Sequence, residues 1–234
     1  MEIKICGTGQ NSDVRAQVDD SFDAMRTNLR PLEFSLGGLI GGHFLLAATF
    51  SNTAGQPVVS SQLFSWRWSD TRMLCVIKRI AIQVGITTAF GAAQLLDYDL
   101  IAARSFTSNP TGGTSITPAT TSNKMRSATM SGSLFTSSGS IMISSGTALT
   151  AGTQTLDGYS LGYAIGLDQM GAGTTATVVP ATPIQSLIET RDFGQHPLIL
   201  GTNEGFVIRN GTAYGATGVV KHGILVEWAE VPAY

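Results

Sequence analysis

The sequence of 234 residues carries a net charge of −2, and only 13% of its residues are charged, about half the share usual in a soluble domain. This composition excludes a long coiled coil and a protein held on nucleic acid by basic side chains, while a hydrophobic content of 43% excludes disorder along the whole length. No apolar run reaches the roughly 18–20 residues that cross a bilayer, so no membrane partner is expected.

Residues 13–29 predict an amphipathic helix. Its apolar positions recur at spacings of 4, 4, 3 and 4 residues and share one stripe: Val14, Val18, Phe22, Met25 and Leu29. The helix either packs on its own domain or forms an arm that docks on a neighbouring subunit, because glycines between positions 37 and 42 supply a flexible connector. We therefore divide the chain into a helical arm with its connector, residues 1–42, and a β domain, residues 43–234.

From residue 43 onward the pattern predicts strands. Residues 72–88 alternate most clearly, with apolar side chains at the even positions, and residues 220–228 alternate in the same way. Further strands are predicted over residues 43–50, 62–68, 96–100, 140–144, 155–162, 197–200 and 205–209. About eight to ten short strands without intervening helices predict an all-β fold, a jelly-roll-like antiparallel β-sandwich.

Residues 105–156 form a Ser/Thr-rich excursion within this sandwich. Of these 52 positions 24 are Ser or Thr, none is acidic, and Lys124 and Arg126 are the only charged residues. A mucin-like stalk would need more proline, and disorder conflicts with the apolar residues 141–143. We interpret the segment as long loops whose hydroxyl groups satisfy turns, and such loops commonly carry the binding surface of a β domain.

Residues with catalytic or metal-binding chemistry are scattered along the chain. Cys6 and Cys75 form no CxxC pair, and His43, His196 and His222 have no neighbour at metal-ligand spacing. Since no GxSxG nucleophile motif occurs either, we expect no catalytic residue, no cofactor and no metal, and hence no enzyme. His222 lies on an apolar strand face and is expected to be a core or edge histidine.

Two short motifs allow a functional interpretation beside a structural one. Asp97 and Asp99 lie on one strand face about 7 Å apart and could hold a cation or serve hydrolysis, although a solvated strand face is favoured. Trp66 and Trp68 flank Arg67 and could form a sugar platform or a subunit contact, with core packing at a sheet edge as the alternative. Trp66 and Trp68, together with the five residues of the helical stripe, are the candidate contacts with another subunit or with a larger assembly.

Four segments of the chain carry a resemblance to known proteins. They are Val18-Asp19 with Ala24-Met25-Arg26 and Leu29-Arg30-Pro31; residues 64–68; residues 99–107 with 111–114; and residues 203–209 with 215–218 and 226–230. In this order they resemble a group of structural proteins of tailed bacteriophages, described as virion or minor structural proteins. The resemblance spans about residues 7–230 and carries no catalytic residues over.

This resemblance implies a non-enzymatic structural protein of the virion. We expect a capsid decoration (cement) or minor capsid protein, with a tail or fibre component and a carbohydrate- or receptor-binding module as alternatives. The expected partners are further copies of the chain, with a trimer favoured, and other virion proteins such as the major capsid protein, without direct nucleic-acid contact. The expected location is the virion, after synthesis in the cytoplasm of the bacterial host, because the N-terminus lacks the apolar core of a secretory signal.

Overall fold

The computed structural model describes residues 17–19, 24–26, 42–52, 58–92, 94–118, 132–135, 138–168, 183–190 and 196–232. Every regular element among these residues is a β-strand. The strands are β1 (Gln17–Asp19), β2 (Ala24–Arg26), β3 (Gly42–Asn52), β4 (Gln62–Trp68), β5 (Met73–Thr88), β6 (Gln94–Arg104), β7 (Gly113–Ile116), β8 (Ile141–Ser144), β9 (Thr155–Leu156), β10 (Gly162–Asp168), β11 (Gln185–Glu189), β12 (Leu198–Leu200), β13 (Glu204–Asn210) and β14 (Val219–Pro232).

Two larger antiparallel sheets form the body of the protein. The seven-stranded sheet has the order β10-β6-β13-β4-β8-β7, with β9 paired to β6. The five-stranded sheet has the order β11-β5-β14-β3, with β12 paired to β5. Strands β5 and β14 pair along the whole range from Met73 to Thr88 and form the centre of the smaller sheet.

Alternation along the strands gives each sheet a buried inner face. In β6, Leu96, Tyr98 and Leu100 are at most 2% exposed, whereas Asp97 and Asp99 between them are half-buried on the outer face. In β14, Ile224, Val226 and Trp228 point inward in the same way. This period of two is the one that the sequence predicts, because successive side chains of a strand point to opposite faces.

The core lies between the two sheets and is rich in aromatic rings. Trp66 of β4 meets Trp228 of β14 edge-to-face, with ring centroids 4.9 Å apart. Phe135, from the Ser/Thr-rich excursion, packs edge-on against Trp66 at 4.5 Å and against Trp68 at 4.8 Å. All three tryptophans of the chain are therefore buried, each at most 1% exposed.

A helix is predicted over residues 13–29, but the described part of that range forms strands. Strands β1 and β2 pair antiparallel there, with Val18 opposite Met25. The other stripe residues, Val14, Phe22 and Leu29, lie outside the described residues. A short hairpin places positions 18 and 25 together just as a helix would, because cross-strand partners share a face.

The predicted strands from residue 43 onward are found, with two differences. Residues 155–162, predicted as one strand, divide into β9 and the first residue of β10 with a loop between them. The prediction also missed β7 and β11 and most of β10. The all-β antiparallel sandwich is confirmed, and no helix of the described residues could cross a membrane.

Candidate functional site

The buried polar cluster around His222 belongs to the core. His222 is fully buried, its Nε2 lies 2.9 Å from Tyr214 Oη and 3.3 Å from Tyr98 Oη, and the two tyrosine hydroxyls are 3.0 Å apart. Burial lowers the pKa of His222 to about 3 and raises the pKa values of Tyr98 and Tyr214. A neutral histidine sealed between two sheets supports packing, as the sequence predicts.

The other histidines lie elsewhere in the fold. His43 is on the outer face of β3 and hydrogen-bonds Glu227 Oε1 at 2.7 Å. His196 lies two residues before β12. Within the described ranges, no three residues of the types His, Cys, Asp and Glu come together in a way that could hold a metal ion.

Asp97 and Asp99 lie on the outer face of β6 but have different surroundings. Asp99 forms a two-point ion pair with Arg209 of β13, at 2.7 Å from Nη2 and 3.3 Å from Nε, and Ser160 Oγ lies 3.4 Å from it. Asp97 turns its carboxylate toward the turn at Gly211, where an added Cβ would lie 2.3 Å from Oδ2. The pair therefore faces two different neighbours and does not converge on a common point.

Trp66 and Trp68 are a correction to the predicted contact residues. Both rings are buried in the core of the protein, 0% and 1% exposed, so neither can touch another subunit or stack on a sugar. Their strand β4 is also internal to the seven-stranded sheet and not at its edge. Arg67 between them donates hydrogen bonds to Phe106 O, Asn109 Oδ1 and Asn203 Oδ1, and so ties two loops to the outer face.

Exposed apolar side chains instead lie on strands β6 and β10 and on residues next to β10. Six of the nine large hydrophobic residues that are exposed in the described structure belong to this group: Leu95 of β6, Tyr163 and Ile165 of β10, Tyr159 and Leu161 in the loop before β10, and Ile184, whose neighbour Gln185 bonds Ile165. Tyr159 is 90% exposed, Tyr163 71% and Ile165 51%. We call these six residues the apolar edge surface. Single exposed apolar residues are common on protein surfaces, but a group of them is typical of an interaction site, especially in a molecule that buries all its tryptophans.

Strand register builds this surface. In β10, Tyr163 lies opposite Asp99 and Ile165 opposite Asp97 of β6, so both point to the outer face. The row Tyr163–Asp99–Arg209 therefore crosses three strands, with an aromatic ring beside an ion pair. Tyrosine and arginine are the residue types most enriched at the energetic centres of protein interfaces.

The backbone edge of β10 is closed at Ile165 by the side chain of Gln185 from β11. Gln185 accepts a hydrogen bond from Ile165 N at 3.1 Å and donates one to Ile165 O at 2.8 Å. Gly162 lies so close to β11 that an added Cβ would be 1.8 Å from Leu187 O, which explains the glycine. A partner can therefore use the side chains of this surface but cannot add a strand at Ile165.

The Ser/Thr-rich excursion is anchored to the end of the sandwich by Glu230. The Glu230 carboxylate accepts hydrogen bonds from Ser133 Oγ at 2.7 Å, from Leu134 N at 3.0 Å and from Trp228 Nε1 at 3.1 Å. Burial raises the pKa of Glu230, against the opposing effect of these donors. Cys75, the register partner of Glu230, is a fully buried thiol whose pKa burial also raises.

Replacement of Glu230 by glutamine is expected to loosen this anchor and to cost about 1–3 kcal/mol of stability. Three groups donate hydrogen bonds to the carboxylate. A glutamine side chain replaces one of its oxygens by an NH₂ group, which then faces another donor, such as Leu134 N, and cannot bond it. Trypsin can cut inside the excursion only after Lys124 and Arg126. Glu230→Gln should speed this cleavage, measured by mass spectrometry of the fragments.

The matched control for this experiment is Glu227→Gln, on the outer face of the same strand. Glu227 hydrogen-bonds His43, and its register partners on the neighbouring strands are Leu45 and Arg79. Equal cleavage rates in the wild type and in Glu230→Gln would show that Glu230 does not hold the segment.

No protein-family model matches the chain, and neither the curated proteins nor the solved structures contain a match.

Sequence reasoning missed the apolar edge surface. Tyr159 and Tyr163 follow Gly158 and Gly162, and this pairing of aromatics with glycines near a turn is the signal that the sequence contains. The strand predicted over residues 155–162 includes Tyr159 and ends one residue before Tyr163, and the pattern alone does not reveal that either tyrosine is exposed.

Proposed function

We propose that the protein is a non-enzymatic structural component of a tailed-phage virion, namely a capsid decoration (cement) or minor capsid protein. The observation that carries the proposal is the order in which the strands pair within the two sheets. The resemblance of four ordered segments to phage structural proteins supports it independently. Its location in the virion, after synthesis in the host cytoplasm, is part of the same proposal.

The winding supports a jelly roll. Eight strands form four nested antiparallel pairs, in which the first strand pairs with the last and each later pair lies inside the one before: β3 with β14, β4 with β13, β5 with β11, and β6 with β10. One long hairpin of this kind, rolled up, gives the sheet orders β11-β5-β14-β3 and β10-β6-β13-β4 that are found. Jelly rolls with eight strands are typical of viral capsid and lectin domains.

The insertion between β6 and β10 fits this reading. Strands β7 and β8, both within the Ser/Thr-rich excursion, extend the larger sheet beyond β4. Such an elaboration keeps the four nested pairs intact and adds surface at one edge. A particle component gains contact area from an insertion of this kind without any change to its core.

The chemistry of the surface also suits assembly. Charged residues are few, and several ionic groups of the outer faces are paired with each other, as in Arg209 with Asp99 and Arg104 with Glu204. Burying such a surface against another protein desolvates little unpaired charge, which is what the centre of a stable interface requires. We further propose that residues 1–42 act as an arm toward a neighbouring virion protein.

A direct test uses heads of the phage that lack this protein. Purified protein should bind them saturably, at positions visible by electron microscopy, and mass spectrometry should detect it in mature particles. The matched control is a variant lacking residues 1–31, which should stay folded but bind less if the arm makes the contact. Binding only to tails would replace the capsid role with the tail or fibre alternative, and absence from the particle would refute the proposal.

A further inference from the structure

We infer that the apolar edge surface joins this protein to a second copy of itself. The inference goes beyond the proposed function, because it concerns the isolated chain and needs no other virion protein. Its starting point is that exposed Leu95, Tyr163 and Ile165 lie on the neighbouring strands β6 and β10, with exposed Tyr159 and Leu161 in the loop before β10 and Ile184 directly before β11.

The size of the surface suits an interface. Aromatic side chains cover roughly 150–250 Å² each, so Tyr159 and Tyr163, at 90% and 71% exposure, present on the order of 300 Å² between them. The aliphatic members add to this area. The sum reaches the range of the largest apolar patches on monomers, about 300–600 Å², and makes up much of the roughly 800 Å² that each partner buries in a stable complex.

The charges of the surface favour a second copy as the occupant. Asp99 and Arg209 in the middle row neutralise each other at 2.7 Å, and Asp97 turns its carboxylate toward Gly211 and away from the apolar rows. Two copies can therefore face each other without like charges meeting, and the net charge of −2 adds little long-range repulsion. A strongly charged partner would find no complementary charge here.

A glycan fits the surface less well than a protein does. Sugar hydroxyls need free hydrogen-bonding groups beside the aromatic rings, but Asp99 and Arg209 are already bonded to each other, and Ser160 lies against Asp99. Most of the exposed members are aliphatic, which suits the dry centre of a protein interface.

The geometry also determines how the copies meet. The edge of β10 is closed at Ile165 by Gln185, so the contact forms between side chains of the outer faces and not by pairing of strands. Closed symmetric assemblies are the usual outcome when one patch meets the same patch of another copy. Tyr163 and Ile165, two positions apart on one face of β10, then lie near the centre of the contact.

The test compares two isoleucines of equal exposure on opposite sheets. Ile165 is 51% exposed on β10, and Ile199 is 49% exposed on β12. Wild-type protein at tens of micromolar should scatter light as an oligomer, and Ile165→Asp should lower the mass toward the 24.6 kDa monomer. The dissociation constant should rise at least about tenfold, because the carboxylate is stranded in an apolar contact.

Ile199→Asp should leave the oligomer unchanged, and so should the conservative Ile165→Val. Circular dichroism and thermal unfolding of each variant establish that the fold is intact before the masses are compared. A monomeric wild type at these concentrations would overturn the inference, and so would an oligomer that survives both Ile165→Asp and Tyr163→Asp. A wild type that stays monomeric alone but binds phage heads through Ile165 would assign the surface to another virion protein.

Discussion

Replacement of Trp66 by alanine is expected to lower the free energy of unfolding by about 3–5 kcal/mol, the range found when a large buried aromatic side chain is truncated. The indole of Trp66 is completely buried and meets four other rings, those of Phe135, Trp228, Phe206 and Phe64, at 4.5, 4.9, 5.6 and 6.3 Å. Domains are commonly stable by only about 5–15 kcal/mol, so this change removes a large share.

The measurement is denaturant unfolding followed by tryptophan fluorescence. Trp68 and Trp228 remain as buried reporters in the variant, because both are at most 1% exposed. Trp66→Phe is the matched control, since it keeps an aromatic ring against Phe135 and Phe206 and should cost clearly less. If Trp66→Ala unfolds at the denaturant concentration of the wild type, the ring does not lie in the core.

The tryptophans show how far the sequence predicts this fold. Alternation over residues 62–68 places Trp66 and Trp68 on one face, and the structure confirms that they share it. Periodicity does not reveal which face is covered, because that depends on the second sheet. The same pattern was therefore compatible with an exposed platform, and only the position of β14 opposite β4 decides for the core.

Tyrosines show the same limit from the other side. Tyr98 and Tyr163 both alternate with neighbours in the pattern of a strand, yet Tyr98 is 1% exposed and Tyr163 71%. Tyr98 points inward in β6, and its hydroxyl finds Tyr214 and His222. Tyr163 points outward in the edge strand β10, where none of the described strands covers it. Whether a tyrosine is buried thus depends on the order of the strands in the sheets. The alternation of residues along a single strand does not reveal that order.

The described residues 17–19 and 24–26 differ from the N-terminal prediction for a related reason. A spacing of seven residues, from Val18 to Met25, is the helical repeat that keeps side chains on one stripe. The same two residues are register partners in the hairpin of β1 and β2. Apolar spacing alone therefore cannot separate the two arrangements over a short segment.

Acidification is expected to destabilise the protein through His222, by about 2–3 kcal/mol between pH 6.5 and pH 4.5. Burial lowers the pKa of His222 to about 3, whereas an unfolded histidine titrates near 6.5. Above pH 6.5 neither state binds the proton, so His222 contributes no pH dependence. Below pH 6.5 the histidine is protonated in the unfolded state but stays neutral in the folded state. The free energy of unfolding therefore falls by about 1.4 kcal/mol per pH unit until the pH approaches 3.

The core offers no means of accommodating the imidazolium. Its Nε2 faces the hydroxyls of Tyr214 and Tyr98, its Nδ1 is buried without a hydrogen-bond partner, and Phe50 stacks on the ring at 4.8 Å. Two tyrosines whose own pKa values are raised stay neutral and provide no counter-charge. Among the described residues no carboxylate hydrogen-bonds the His222 ring, so the positive charge would be poorly solvated.

The variant His222→Phe isolates this contribution. Phenylalanine keeps a ring against Phe50, and Tyr98 and Tyr214 can still bond each other across 3.0 Å. Unfolding free energies of both proteins are measured at pH 7.5, 5.5 and 4.5, so that other groups cancel in the difference. Glu230 is one of those groups, and its raised pKa acts in the opposite direction, because the folded state then binds a proton more readily than the unfolded state. The wild type should lose stability relative to His222→Phe as the pH falls, and a constant difference across the three values would show that His222 is protonated in the folded protein as easily as in the unfolded chain.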